Sequence, residues 1–339
     1  MKFPFSRRRF RRPGIGGKRT DEQFPALDRR RADELRRELQ EGFVGHGFDV
    51  QLSGMTLVLS RETPEDKIVL PLEDLVHGIA ADDAPHAVAA WTDSFIKAAL
   101  AVDLAAHLDT SGVYRSLRLV LMPAQPGGPG DHEGAAYPEQ EEEVRVIEDA
   151  SIGHFTADLL TCLVLDMGAA ATPARTAELA EIDDVDTLVR AARRNLRDEL
   201  RSLEVEVGYQ NIDDEVEGAG VWVIRGNSFY LSAAPLLLED FVDRHVPQVD
   251  AEAGLLFAVP LPNFLLVREV TEGEDLAHGL HMMASGAVSL AAGAGAEAAV
   301  SPRVHLWRDG HVETISEVTD GDGFLIQPNS YLMKRLEGR

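Results

Sequence analysis

The chain has 339 residues, 45% of them hydrophobic and 27% charged, the balance of a folded globular protein rather than a disordered or fibrous one. Its net charge is −24, yet residues 1–20 hold eight basic residues and no acid, so they carry +8 and the remainder −32, which repels phosphate backbones and makes the folded part a poor candidate for general nucleic-acid binding. No apolar run reaches the roughly 20 residues that cross a bilayer, and one cysteine makes no internal disulfide, so a spanning chain is excluded and a reducing, cytoplasmic compartment is expected.

The basic stretch is read first. Ser6-Arg7-Arg8-Arg9-Phe10 has the start of a twin-arginine export signal, but Arg11, Arg12 and Pro13 follow where an apolar segment is needed, so the export reading fails. What remains is a disordered basic arm over 1–22, with Arg7, Arg8, Arg9, Arg11 and Arg12 interleaved with Phe3, Phe5 and Phe10. Each such cation is worth about 1 kcal/mol near an anionic leaflet, so a weak, salt-dependent contact with a membrane surface or a nucleic acid is one expectation. An arm that meets nothing, or folds back on its own acidic body, is the other.

Ala32, Leu35, Leu39 and Phe43 recur at helical spacing and end near Gly45. Phe48 to Leu59 alternates as a strand does, with Gly54 marking a turn or a bulge, and Ile68 to Leu70 is a second strand. Asp83 is placed as the cap of a helix running to about Leu108, and Leu117 to Met122 is a strand. Residues 123–143 are rich in Pro, Gly and acid and read as a linker or surface insertion. Beyond it, Val144 to Ile147 and Leu159 to Leu165 are strand-like, the latter ending in an Asp166-Met167-Gly168 turn. Val185 to Leu203 is the clearest amphipathic helix, capped by Asp183 or Asp184. Strands follow at Val205 to Tyr209 and Val221 to Ile224, then a helix from Ser228 to Val246 that Pro235 must kink or split. Leu255 to Val259 and Phe264 to Val270 are strands, Asp275 to Ala292 a helix, and Val304 to Ile315 a hairpin turned at Asp309-Gly310. No assignment is made for the tail.

Interspersed helices and strands without a regular βαβ beat give an α+β fold with mixed, mostly antiparallel sheets, in two lobes at 23–122 and 144–316 with a tail at 317–339. The strand ending in Leu70-Pro71-Leu72, the turn Leu163-Val164-Leu165-Asp166-Met167-Gly168 and the helix segment Ala192-Arg193-Arg194-Asn195-Leu196 resemble motifs of the YtpQ-like family of bacterial proteins, over roughly residues 28–315. The resemblance implies a shared architecture and a bacterial cytoplasmic setting; it supplies no activity, cofactor or catalytic residue.

The residues themselves show no complete catalytic constellation. His278 and His281 share a helix face but lack a third ligand at a recognisable spacing, and Asp131-His132-Glu133 lies in the linker, so no metal or cofactor is expected. Ser285 lacks the glycine of a nucleophile elbow, Gly293-Ala294-Gly295-Ala296 follows a helix instead of opening one, and Cys162 sits in an apolar strand as an inert thiol. Arg190, Arg193, Arg194, Arg197 and Arg201 form a basic stripe on one helix. Ion pairs of Asp186 with Arg190, Arg194 with Asp198 and Arg201 with Glu204 account for much of it, and an acidic partner for Arg190, Arg194, Arg197 and Arg201 is the alternative. These features favour a non-enzymatic binding or adaptor protein with a protein partner. The alternative is an enzyme whose cleft holds Asp166 and Asn195.

Overall fold

A computed structural model describes residues 20–61, 67–124, 138–168, 170–211, 220–294, 298–319 and 323–338. The basic residues Arg7, Arg8, Arg9, Arg11 and Arg12 and the Asp131-His132-Glu133 run lie outside the described residues. The fold is α+β, and the chain divides into two units, residues 1–108 with 167–172, and residues 109–166 with 173–339. The division therefore falls at Leu108/Asp109 instead of across 123–143. The reason is that the strand Leu117–Pro123 pairs along its whole length with Leu159–Asp166, which ties both sides of the expected linker into one sheet.

The first unit opens with α1 (Arg29–Val44), whose Asp28 cap accepts a hydrogen bond from the Arg31 amide at 3.0 Å. Strands β1 (Asp49–Ser53), β2 (Thr56–Ser60) and β3 (Ile68–Pro71) form an antiparallel sheet, with Gly54 in the tight turn between the first two. Helices α2 (Glu73–Ala81) and α3 (Ala87–Ala106) close it, and Leu35, Leu39, Phe43, Leu57, Ile79 and Phe95 meet in the core. Asp83 is not the cap of α3. Asp82 holds the preceding turn by accepting from the Ala84 amide at 2.9 Å, and the helix starts at Ala87 with no side-chain cap.

The second unit begins with α4 (Thr110–Ser116) and β4 (Leu117–Pro123), then α5 (Pro138–Ala150), β5 (Ser151–His154) and β6 (Leu159–Asp166); the short β7 (Ala171–Pro173) follows across the division at Thr172/Pro173. Here two expectations are corrected. Residues 138–143 belong to a helix, and Val144 to Ile147 continue it instead of forming a strand. Pro138 starts the helix with its φ preset, and Val144, Ile147 and Ala150 fall three apart on one side. A four-residue apolar run does not separate the two structures by period alone.

The chain continues through α6 (Thr176–Leu179) and α7 (Val185–Ser202), the latter capped by Asp184, which accepts from the Thr187 amide at 3.2 Å. Then come β8 (Val205–Gln210), β9 (Val221–Gly226), a 3-10 helix over Phe229–Leu237 and α8 (Leu238–His245). Pro235 sits in the 3-10 segment, so of the two outcomes expected of it, kink or split, the helix is split. Strands β10 (Leu255–Ala258) and β11 (Phe264–Glu269), helix α9 (Gly273–Ala294), and strands β12 (Val304–Arg308) and β13 (His311–Thr314) follow. The tail folds as β14 (Ser316–Thr319), β15 (Gly323–Ile326) and α10 (Ser330–Leu336). Asp309 and Gly310 both adopt positive φ, 51° and 77°, as a two-residue hairpin turn requires.

Six strands make one antiparallel sheet in the order β13-β12-β10-β11-β9-β8. One face, carrying Leu256, Leu266, Val304 and Leu306, packs on Leu280, Met283, Ala284 and Ala287 of α9. The pleat sends Phe257, Val267 and His305 to the other face. Arg268 alternates onto the α9 face, where it is only 1% exposed and is tied to Asp275 Oδ2 at 2.9 Å and Thr271 Oγ1 at 3.0 Å. Among the described residues no helix is long and apolar enough to cross a membrane.

Candidate functional site

A groove of about 690 Å³ opens in the second unit, within the size range of ligand-binding clefts. All four residues of β5 line it: Ser151, Ile152, Gly153 and His154. The rest of the lining is Val185, Asp186 and Val189 from the start of α7, Thr176 of α6, Glu148 of α5, Leu160 of β6 and Ala124. The walls are well anchored. The Thr176 hydroxyl donates to the Asp149 carbonyl at 3.1 Å, and Asp184 fixes the first turn of α7 just ahead of the lining residues.

The lining pairs apolar Ile152, Val185 and Val189 with two carboxylates, Glu148 and Asp186, and among the described residues contains neither Lys nor Arg. Among the described residues neither carboxylate is held in an ion pair. Such a surface attracts cations and disfavours anions.

The backbone adds directional groups. The sheet order is β4-β6-β5, and among the described residues no strand pairs the outer edge of β5. The Phe155 N–H donates to the Leu159 carbonyl at 2.9 Å, and antiparallel strands point their amides alternately toward and away from the neighbour. The N–H and C=O of His154 therefore face away from β6. A bulge between Ser151 and Gly153 shortens the free edge. Gly153 takes φ 143°, a conformation closed to most side chains, and donates its amide to Ser151 Oγ at 3.1 Å.

Asp166 and Asn195, the pair expected in a cleft, both sit at the junction of α4 and β4 and line no part of this groove. Asn195 Nδ2 donates to the carbonyls of Tyr114 at 2.8 Å and Leu117 at 2.9 Å, and lies 3.4 Å from that of Arg115. Arg118 donates to the Arg115 and Leu117 carbonyls as well and stands 3.9 Å from the Asp166 carboxylate. Burial, and then the Asp166 charge, push the Tyr230 phenol far above its usual range. These polar groups close the end of α4, which leaves orphan carbonyls that need donors.

The arginine stripe of α7 also departs from expectation, since among the described residues none of the three anticipated ion pairs along the helix forms. Arg190 donates to Thr187 Oγ1 at 2.7 Å, Arg193 to the Leu236 carbonyl at 2.9 Å, and Arg197 pairs with Asp240 of α8 at 2.9 Å. Arg194 and Arg201 are exposed. Pairs along an exposed helix are worth only about 0.3–0.5 kcal/mol, so acceptors on the neighbouring 3-10 helix and α8 compete effectively.

One polar cluster had no signal in the sequence. Asp158, in the turn after β5, accepts from Thr156 Oγ1 at 2.8 Å and Ser301 Oγ at 2.6 Å, with Arg303 Nη1 3.7 Å away. His305 is fully buried nearby, stacked on Phe257 with ring centroids 5.1 Å apart. Its Nδ1 meets Thr314 Oγ1 at 3.1 Å, and among the described residues its Nε2 has no partner. Burial lowers its pKa to about 4; Asp158 opposes that shift and Arg303 reinforces it. The cluster fastens the β5–β6 turn to the entry of β12.

The remaining candidates lie outside the groove. Cys162 is fully buried and its thiol is pushed up to about 12 by desolvation. His278 and His281 are exposed, the latter against the Phe324 ring, and among the described residues no group of three or more His, Cys, Asp or Glu is placed to hold a metal. None of the known protein-family models, curated proteins or solved structures compared with this chain matches it.

Proposed function

We propose that this chain is a non-enzymatic binding protein of the bacterial cytoplasm whose second unit holds a cationic ligand in the groove between β5 and α7. The observation that carries the reading is the pairing of Glu148 and Asp186 with apolar Ile152, Val185 and Val189, with no Lys or Arg among the described lining residues. A ligand that joins positive charge to apolar surface meets both halves of that lining, and opposite charge steers its approach.

The assignment is tested by isothermal titration with spermine, a small polycation, at low salt. One saturable site is expected, weakened tenfold or more in Glu148→Gln/Asp186→Asn and weakened again at physiological salt. A protein this acidic attracts polycations diffusely, so the double variant is the deciding arm. Affinity unchanged in it, or no saturable site in the unaltered protein, refutes the reading.

A further inference from the structure

We infer that the ligand of this groove is an extended polypeptide segment of a partner, alternating apolar and basic residues, bound as an added strand along the free edge of β5. The inference rests on the proposed function and names its ligand class. Four consecutive residues of one strand line the groove. A strand lying flat against a cleft presents alternate residues to it, so four in succession means that the cleft runs along the edge and meets the backbone as well as the side chains.

That edge offers hydrogen bonds a small cation does not satisfy. His154 turns its N–H and C=O away from β6, a donor and acceptor pair spaced as an incoming strand requires. Four residues of strand span about 13 Å, enough to pair with a segment of similar length. Successive side chains of that segment point to opposite faces, so one alternate set turns toward the start of α7, where Val185 and Val189 offer apolar contact and Asp186 a carboxylate. The charge of the lining selects basic residues over acidic ones. The bulge at Ser151 and Gly153 keeps the open edge short, so backbone pairing alone is weak and a segment must also fit the lining to be held. The edge is thereby guarded against indiscriminate strand pairing while it stays available to a matched sequence.

The experiment uses the full chain and two labelled hexapeptides of alternating phenylalanine and arginine, one with ordinary amides and one N-methylated at the alternate amides that would face β5. The two carry the same charges and side chains and differ in backbone donors. The ordinary peptide is expected to bind at least tenfold more tightly and to slow hydrogen exchange of the His154 amide, and Glu148→Gln/Asp186→Asn is expected to weaken it at least tenfold. Equal affinity of the two peptides with unchanged His154 exchange overturns the added strand. If the double variant still weakens both peptides in that case, the cationic-ligand reading survives. If the double variant weakens neither, that reading falls too.

Discussion

Replacing Gly279 with Ala should destabilise the second unit, although alanine is the better helix former. A Cβ built on Gly279 would lie 1.3 Å from Arg268 Nη1 and 2.1 Å from its Cζ, so the guanidinium has to leave. Arg268 has nowhere to go. It is 1% exposed and held by Asp275 Oδ2, Thr271 Oγ1 and the Glu269 and Asp275 carbonyls. Breaking a buried ion pair by displacing one member costs about 3–5 kcal/mol, and the gain in helix propensity returns at most about 1 kcal/mol, for a net loss of about 2–4 kcal/mol. Gly286, on the same helix, is the control. Its added Cβ would meet only Leu266 Cδ1 at 3.7 Å, an ordinary contact, so Gly286→Ala should stabilise by roughly 0.4–1 kcal/mol. Urea unfolding followed by tryptophan fluorescence, with Trp222 and Trp307 reporting on this unit, measures both. In an Arg268→Met background the Gly279→Ala penalty should vanish, a coupling of at least about 2 kcal/mol. A Gly279→Ala protein as stable as the wild type, or an undiminished penalty in the Met background, refutes the steric account.

His305 makes stability depend on pH: its folded pKa lies below the unfolded value, so above pH 6.5 it has no effect, and as pH falls toward 4 the unfolded state takes the proton first and stability is lost, by about 3 kcal/mol in all. Urea midpoints from pH 7 to 4.5 should therefore fall less steeply for His305→Gln, and parallel profiles would refute the assignment. Asn195→Ala removes the donor to the Tyr114 carbonyl and leaves that of Leu117 to Arg118, and should cost about 1–3 kcal/mol in the same unfolding assay; an unchanged midpoint would show that water replaces the amide. Cys162 should react with a thiol reagent only on the timescale of unfolding, and rapid labelling of the native protein would contradict its burial and raised pKa.

Local chemistry was legible wherever one short segment contained the whole argument. Helix α7 follows from Val185, Val189, Ala192, Leu196, Leu200 and Leu203 behind an Asp183 or Asp184 cap, and the β12–β13 hairpin from Asp309-Gly310 between alternating strands. Cys162 was legible because its buried state depends on neighbours in its own strand. Helix α5 was not, since Val144 to Ile147 suits either period and only its place beside β6 selects one.

The α+β class, the uneven charge and most elements are thus properties of the sequence by itself, because capping, turn formation and periodicity act over a few residues. The groove belongs to tertiary structure alone: Glu148 to His154 and Val185 to Val189 lie some thirty residues apart, and only the packing of α7 against the sheet sets them face to face. The same is true of Arg268 beneath Gly279 and of His305 near Asp158. A buried charge or an unpartnered imbedded nitrogen has no local signature, because its environment is made by chain segments that the fold, and nothing nearer in sequence, brings together.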